Sequence, residues 1–125
     1  MQLVSGINVV YLYVADLDRS LVFYRDLLGL ALDKHPRNPN WAEVVLPNGL
    51  RFALEAAHEG RQPQPPGSIR IDFEVGDIDA AVERLRDAGV TVGEITRAFW
   101  GDACEVFDPD GYRVALFRPP LRPDE

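Results

Sequence analysis

The sequence predicts an α+β protein built from two similar halves, each running strand, helix, strand, strand, strand. The first observation behind this is an internal echo. Val14, Asp16, Leu17, Asp18, Leu21, Arg25 and Asp26 return as Val75, Asp77, Ile78, Asp79, Val82, Arg86 and Asp87, a shift of 61 positions. Pro47, Asn48, Gly49, Arg51, Ala53 and Leu54 return as Pro109, Asp110, Gly111, Arg113, Ala115 and Leu116, a shift of 62, so one inserted residue reconciles the two. A repeat of this length marks a supersecondary unit used twice. The second observation is a helical apolar stripe after an Asp in each half, and the third is a Pro-Asn-Gly or Asp-Pro-Asp-Gly turn before the last strand of each.

The elements follow in order. Ile7 to Val14 is rich in β-branched and aromatic residues and reads as a strand. Asp16 can cap a helix in which Leu17, Leu21, Tyr24 and Leu28 recur at helical spacing, and Gly29 ends it. Leu30 to Asp33 and Trp41 to Leu46 read as strands separated by a loop holding Pro36 and Pro39. Pro47-Asn48-Gly49 turns the chain into a fourth strand, Arg51 to Glu55. In the second half Ile69 to Val75 is a strand and Asp77 a cap. Ile78, Ala81, Val82, Leu85 and Ala88 form the helix stripe, which Gly89 stops. Thr91 to Ile95, Ala103 to Phe107 and Tyr112 to Phe117 complete the plan. The expected organisation is one domain over residues 1–125: module one at 5–57, a stiff extended Pro-rich connector at 58–67, module two at 68–118 and a frayed tail at 119–125.

Composition narrows the functions. With 46% hydrophobic and 26% charged residues the chain is globular, and 125 residues suffice for one core. The formal charge of -7 with no basic cluster argues against a nucleic-acid partner, which needs a concentrated positive face. An acidic balance permits a cationic ligand, although it more often serves solubility. No stretch approaches membrane-spanning length. The single Cys104 rules out an internal disulfide framework, suits a reducing, cytoplasmic setting, and reads as a small buried hydrophobe.

Alternation divides each strand between two faces. Val10, Leu12, Val14, Phe52, Leu54, Ile69, Ile71, Phe73, Val75, Val114 and Leu116 are assigned to the helix side. Opposite them fall Val9, Tyr11, Tyr13, Arg51, Ala53, Glu55, Arg70, Asp72, Glu74, Arg113, Ala115 and Phe117. Leaving Tyr11, Tyr13 and Phe117 on a wholly solvated face is costly, and Arg70 between Asp72 and Glu74 has the character of a polar lining.

The doubled βαβββ order, with Val-Ala-Asp-Leu-Asp-Arg-Ser at 14–20, Phe23-Tyr24-Arg25-Asp26, Leu28-Gly29, Trp100-Gly101 and Asp108-Pro109-Asp110-Gly111-Tyr112-Arg113, resembles the vicinal oxygen chelate superfamily. This is the group of glyoxalase I, the extradiol dioxygenases and the bleomycin-resistance proteins. The resemblance implies two tandem modules forming a curved mixed sheet, helices on its outer face and a concave ligand cleft, and it implies a homodimer. Its enzymes hold a divalent metal on His and Glu side chains. The corresponding first-strand positions, seven residues before each capping Asp, are Val9 and Arg70. The last-strand position, four residues after the turn Gly, is Ala115, and the repeat places its counterpart at Ala53. Glu55 is the match if the register slips by two. Arg cannot deprotonate to ligate a metal.

The expectation is therefore a protein without cofactor, metal or catalytic residues. It would bind a small organic molecule through Tyr11, Trp41, Glu55, Arg70, Asp72, Trp100 and Phe117, with antibiotic sequestration as one use. The alternative is a lyase, isomerase or dioxygenase of the same superfamily, with a displaced metal site or with Glu55 or Asp72 as general base. His35 and His58 lie in expected loops and are set aside as ligands. An accessory domain with an empty cleft is a third possibility.

Overall fold

The computed structural model describes residues 2–120. The chain divides into two compact units between Pro63 and Gln64. In the first unit the order is β1 (Val10–Val14), α1 (Leu17–Leu21) continued by a π-helical segment (Val22–Leu27), β2 (Asp33–His35), β3 (Asn38–Val45) and β4 (Arg51–Ala56). The second unit holds β5 (Arg70–Glu74), α2 (Ile78–Asp87), β6 (Thr96–Ala98), β7 (Gly101–Phe107) and β8 (Arg113–Arg118). Each unit has a four-stranded mixed sheet, in the orders β1-β4-β3-β2 and β5-β8-β7-β6. The first strand of each lies parallel to the last, and the other pairs are antiparallel. Tyr11 pairs with Ala53 and Asp72 with Ala115, so the duplication in sequence is a duplication of register. The α+β class and the doubled βαβββ order are as the sequence predicts.

Asp16 and Asp77 cap the two helices, their Oδ1 atoms accepting from Arg19 N at 3.1 Å and Ala80 N at 3.0 Å. Each satisfies one of the donors a helix start leaves unpaired. Leu12, Val14, Leu17, Leu21, Tyr24, Phe52 and Leu54 form the core of the first unit, and Ile78, Val82, Leu85, Val106, Val114 and Leu116 that of the second.

Several boundaries differ from the sequence reading. The first strand begins at Val10 rather than Ile7, because its partner β4 begins at Arg51 and Val10 already pairs with Phe52. Residues 7 and 8 have no strand beside them. The first helix changes to π spacing at Val22, with Leu28 N donating to Phe23 O at 3.0 Å. The wider turn buries Phe23 beside Tyr24, their rings 4.8 Å apart, a placement a 3.6-residue stripe does not anticipate. The second strand falls at Asp33–His35 instead of Leu30 to Asp33, and Pro39 lies inside β3. A register shift between Lys34 and His35, together with β3–β4 pairing that starts only at Trp41, leaves Pro39 where no ladder donor is required.

In the second half, Thr91 to Ile95 is not a strand. A single bridge joins Val92 to Val106, after which Gly93 N donates to Glu105 O at 2.8 Å and no further ladder pair forms before Thr96. The ladder resumes at Thr96. The connector is not extended throughout: His58 to Arg61 forms a tight turn closed by a bridge between those two residues. Residues 119 and 120 are irregular. The rest of the expected tail lies outside the described residues. Among the described residues no helix is long and apolar enough to cross a membrane.

Candidate functional site

On the first unit, the sheet face away from α1 carries side chains from three neighbouring strands. Pairing of Tyr11 with Ala53 and Tyr13 with Glu55 aligns β1 with β4, while Trp41 pairs with Glu55 and Glu43 with Ala53 across β3 and β4. Alternation therefore puts Tyr11, Tyr13, Trp41, Glu43, Ala53 and Glu55 on one surface. The rings of Tyr11 and Trp41 lie 4.9 Å apart at 60°, and those of Tyr11 and Tyr13 lie 5.6 Å apart, edge to face. Tyr11 is 40% exposed, so this aromatic cluster is reachable from solvent.

Two carboxylates flank the rings, and both are held. The Trp41 indole N–H donates to Glu43 Oε1 at 3.0 Å, and Arg51 forks onto the same carboxylate, Nε to Oε2 at 2.9 Å and Nη2 to Oε1 at 3.0 Å. These donors, Trp41 first and Arg51 next, hold the Glu43 carboxyl below the usual carboxylate range against the opposing effect of burial. The remaining Arg51 Nη1 donates to Asn8 Oδ1 at 3.2 Å. Glu55 is buried, and its Oε1 takes both His58 Nε2 at 2.9 Å and Arg61 Nη1 at 3.4 Å. The Tyr11 phenol is held above the usual tyrosine range, chiefly by its hydrogen bond to Tyr13.

His58 and Arg61 belong to this face although the sequence reading placed His58 in a connector and set it aside. The turn His58-Glu59-Gly60-Arg61 needs positive φ at both central residues, and has it, at 48° for Glu59 and 79° for Gly60. That geometry folds Arg61 back beside His58 so that both reach one carboxylate oxygen. Gly60 two residues beyond His58 was the available signal.

The other sequence-derived site residues lie on the second unit. Arg70 Nε donates to Asp72 Oδ1 at 3.2 Å, Arg70 Nη1 stands 3.9 Å from Glu105 Oε1, and Arg113 Nη1 is 3.6 Å from that same oxygen. All four side chains are roughly half exposed, so this is a solvated ion-pair network. Phe117 is half-buried with its ring laid over Gly101, where an added Cβ would meet Phe117 Cζ at 2.5 Å. Trp100 sits in the β6–β7 turn, stacked edge to face on Phe99 at 4.9 Å and 59% exposed. Cys104 is buried, its thiol pushed up by burial and directed at Gly93 O at 3.3 Å.

The residues at the superfamily's metal positions do not fit a divalent ion. Ala53 and Ala115 are buried methyl groups, Val9 is an isopropyl, and Arg70 is a cation already facing two carboxylates. Glu55, two residues beyond Ala53 on the same strand face, is committed to His58 and Arg61. Among the described residues no three His, Cys, Asp or Glu side chains are grouped to hold a metal. A catalytic ion requires such a group.

The architecture and this face define a protein of tandem βαβββ modules. The family model described as Glyoxalase/Bleomycin resistance protein/Dioxygenase superfamily matches residues 6–116, and the chain belongs to that superfamily. It is similar to a glutathione transferase, FosA, of Serratia marcescens, with 31% identity over 91% of this chain and 81% of the relative. It is also similar to a lactoylglutathione lyase of Haemophilus influenzae, with 32% identity over 82% of this chain and 84% of the relative. Among solved structures, TnmS3, an antibiotic binding protein from a Streptomyces species, superposes with a TM-score of 0.72 at 26% identity, covering 95% of this chain and 99% of that one.

Proposed function

We propose that this chain binds a small, flat organic molecule on the first unit's open face, against Tyr11 and Trp41, and does so without a metal ion. The observation that carries the reading is the pairing of two reachable aromatic rings with carboxylates already fixed by protein donors, on a face where the superfamily's metal positions Val9 and Ala53 hold an isopropyl and a methyl. Such a face offers stacking area and a few oriented charges, which suit recognition rather than Lewis-acid chemistry. Similarity to an antibiotic binding protein supports sequestration of a toxic compound as the biological use. A homodimer in a reducing, cytoplasmic setting is part of the same proposal, as is a supporting role for Arg70, Asp72, Trp100 and Phe117 in binding.

A panel of planar aromatic and cationic glycopeptide compounds, screened by thermal shift and Trp fluorescence, tests the reading. Binding should raise the melting temperature by mass action and should be lost in Tyr11→Ala. A panel without any shift contradicts it. Arg70→Ala separately tests whether the second unit's network contributes.

One observation favours an enzymatic second reading. The 2.9 Å contact between Glu55 and His58 is the carboxylate–imidazole pairing that orients general bases. Turnover by chelator-treated protein that disappears in His58→Gln would favour it over binding alone.

A further inference from the structure

The charges around the Tyr11–Trp41 pair point to a ligand class that the chain's overall acidity would not suggest. Glu43 is covered by Arg51 through a two-pronged contact. Glu55 is buried and shares one oxygen between His58 and Arg61. A cation arriving at this face would have to compete with two guanidiniums for carboxylates they already hold.

Arg61 is different from Arg51 in what it has left to offer. Its side chain is 50% exposed, and a single N–H, on Nη1, is engaged, at the long distance of 3.4 Å. Among the described residues its Nε and Nη2 have no partner. The guanidinium is near enough for its charge, together with that of Glu55, to act on the Tyr11 phenol. Its position is fixed by a turn with two consecutive positive φ values, one of them on a non-glycine residue, Glu59. Strain of that kind persists where the surroundings hold it in place. Here it brings a cation with free donors to the border of an aromatic surface. Glu59 itself is turned outward, its Oε2 3.9 Å from His58 Nδ1 and its side chain 81% exposed.

We propose that the His58–Arg61 turn makes this face selective for planar aromatic ligands bearing an anionic group, such as a carboxylate or sulfonate, and that Arg61 is the residue that meets the anion. Glu55 and His58 act as positioning residues: the buried carboxylate anchors one edge of the guanidinium and leaves the other edge to the ligand. Planar, forked donors match a carboxylate or sulfonate in two-point contact. This inference rests on the binding reading given above and adds the charge class to it.

The test uses naphthoate and naphthylmethylammonium, an aromatic pair of similar size and opposite charge, titrated calorimetrically into the full chain at neutral pH. The anion should bind at least about tenfold more tightly, consistent with one charge-assisted two-point contact. Arg61→Gln should erase the difference and Arg61→Glu should reverse it. Lys34→Gln, which removes a cation paired with Asp18 elsewhere on the unit, should leave it unchanged. Arg61 is half exposed in a turn, and circular dichroism of each variant verifies folding. Equal binding of the two probes, tighter binding of the ammonium, or a preference that survives Arg61→Gln overturns the charge assignment while leaving aromatic binding intact. Binding of neither probe brings down the binding reading and this inference with it.

Discussion

Gly101 opens β7 in a conformation that only glycine tolerates well, and its replacement by alanine is expected to be among the most damaging methyl additions in the chain. Its φ is +138°, and a Cβ there would stand 2.5 Å from Phe117 Cζ and 2.7 Å from Arg118 O. The Phe117 ring can swing aside. The Arg118 carbonyl cannot, because Arg118 pairs with Asp102 in the β7–β8 ladder. Holding a non-glycine residue in this region costs about 1–3 kcal/mol, and forcing a methyl into a filled space costs about 1–3 kcal/mol more. Gly101→Ala should therefore lose roughly 2–6 kcal/mol, equivalent to a fall in melting temperature of roughly 8–24 °C for a domain of this size. Urea unfolding followed by circular dichroism measures it, as a lowered midpoint at unchanged slope. Gly60→Ala is the control: φ is +79° and nothing lies within 4 Å of the added methyl, so only a backbone cost of about 1–2 kcal/mol applies. Equal losses in the two variants would refute the steric argument.

Other consequences concern the candidate face and the core. Glu43→Gln should cost about 1 kcal/mol at neutral pH, because its partner pair is a third exposed. As the folded-state carboxyl lies below its ordinary value of 4.5, the stabilisation is complete above that value and fades as pH falls through the folded-state one; wild type and variant should converge in acid unfolding curves. His58→Ala and Arg61→Ala should each cost about 1–2 kcal/mol, whereas the double variant should cost more than their sum by leaving the buried Glu55 carboxylate without its two partners. Strict additivity in urea titrations would show that Glu55 finds another donor. The Cys104 thiol should react with iodoacetamide far more slowly in native protein than in urea, since burial both hides it and disfavours the thiolate. Asp77→Ala should cost about 1 kcal/mol through loss of the bond to Ala80 N, read by the same unfolding assay.

Much of the architecture was legible because it is written in short-range patterns. Asp16 and Asp77 precede apolar stripes, Asn48-Gly49 and Asp110-Gly111 force turns, and alternation in β1 and β5 sorts Leu12 and Val14 from Tyr11, and Ile71 and Phe73 from Arg70 and Asp72. What could not be read was decided by partners. The first strand's start depends on where β4 begins, and the π turn at Val22 depends on packing of Phe23 and Tyr24 against the sheet.

The candidate face was half visible. Tyr11 and Glu55 follow from alternation, and strand pairing adds Trp41 to them, but the role of Glu55 was set by residues three and six positions later in a turn that looked like linker. Phe117 and Trp100 show the other limit: the ring of the first lies over Gly101 and the second stands in an exposed hairpin turn, placements that aromatic character alone does not give. Periodicity identifies a face; it does not identify which groups on that face are already occupied.

The central claim is that this member of the superfamily recognises its ligand with aromatic rings and guanidinium groups where metal-dependent relatives rely on an ion. Elemental analysis of protein dialysed against nickel, zinc, manganese and iron tests it most directly. The expected result is metal far below one ion per chain, unchanged in Glu55→Gln. Stoichiometric metal that is lost when Glu55 is replaced would contradict the account.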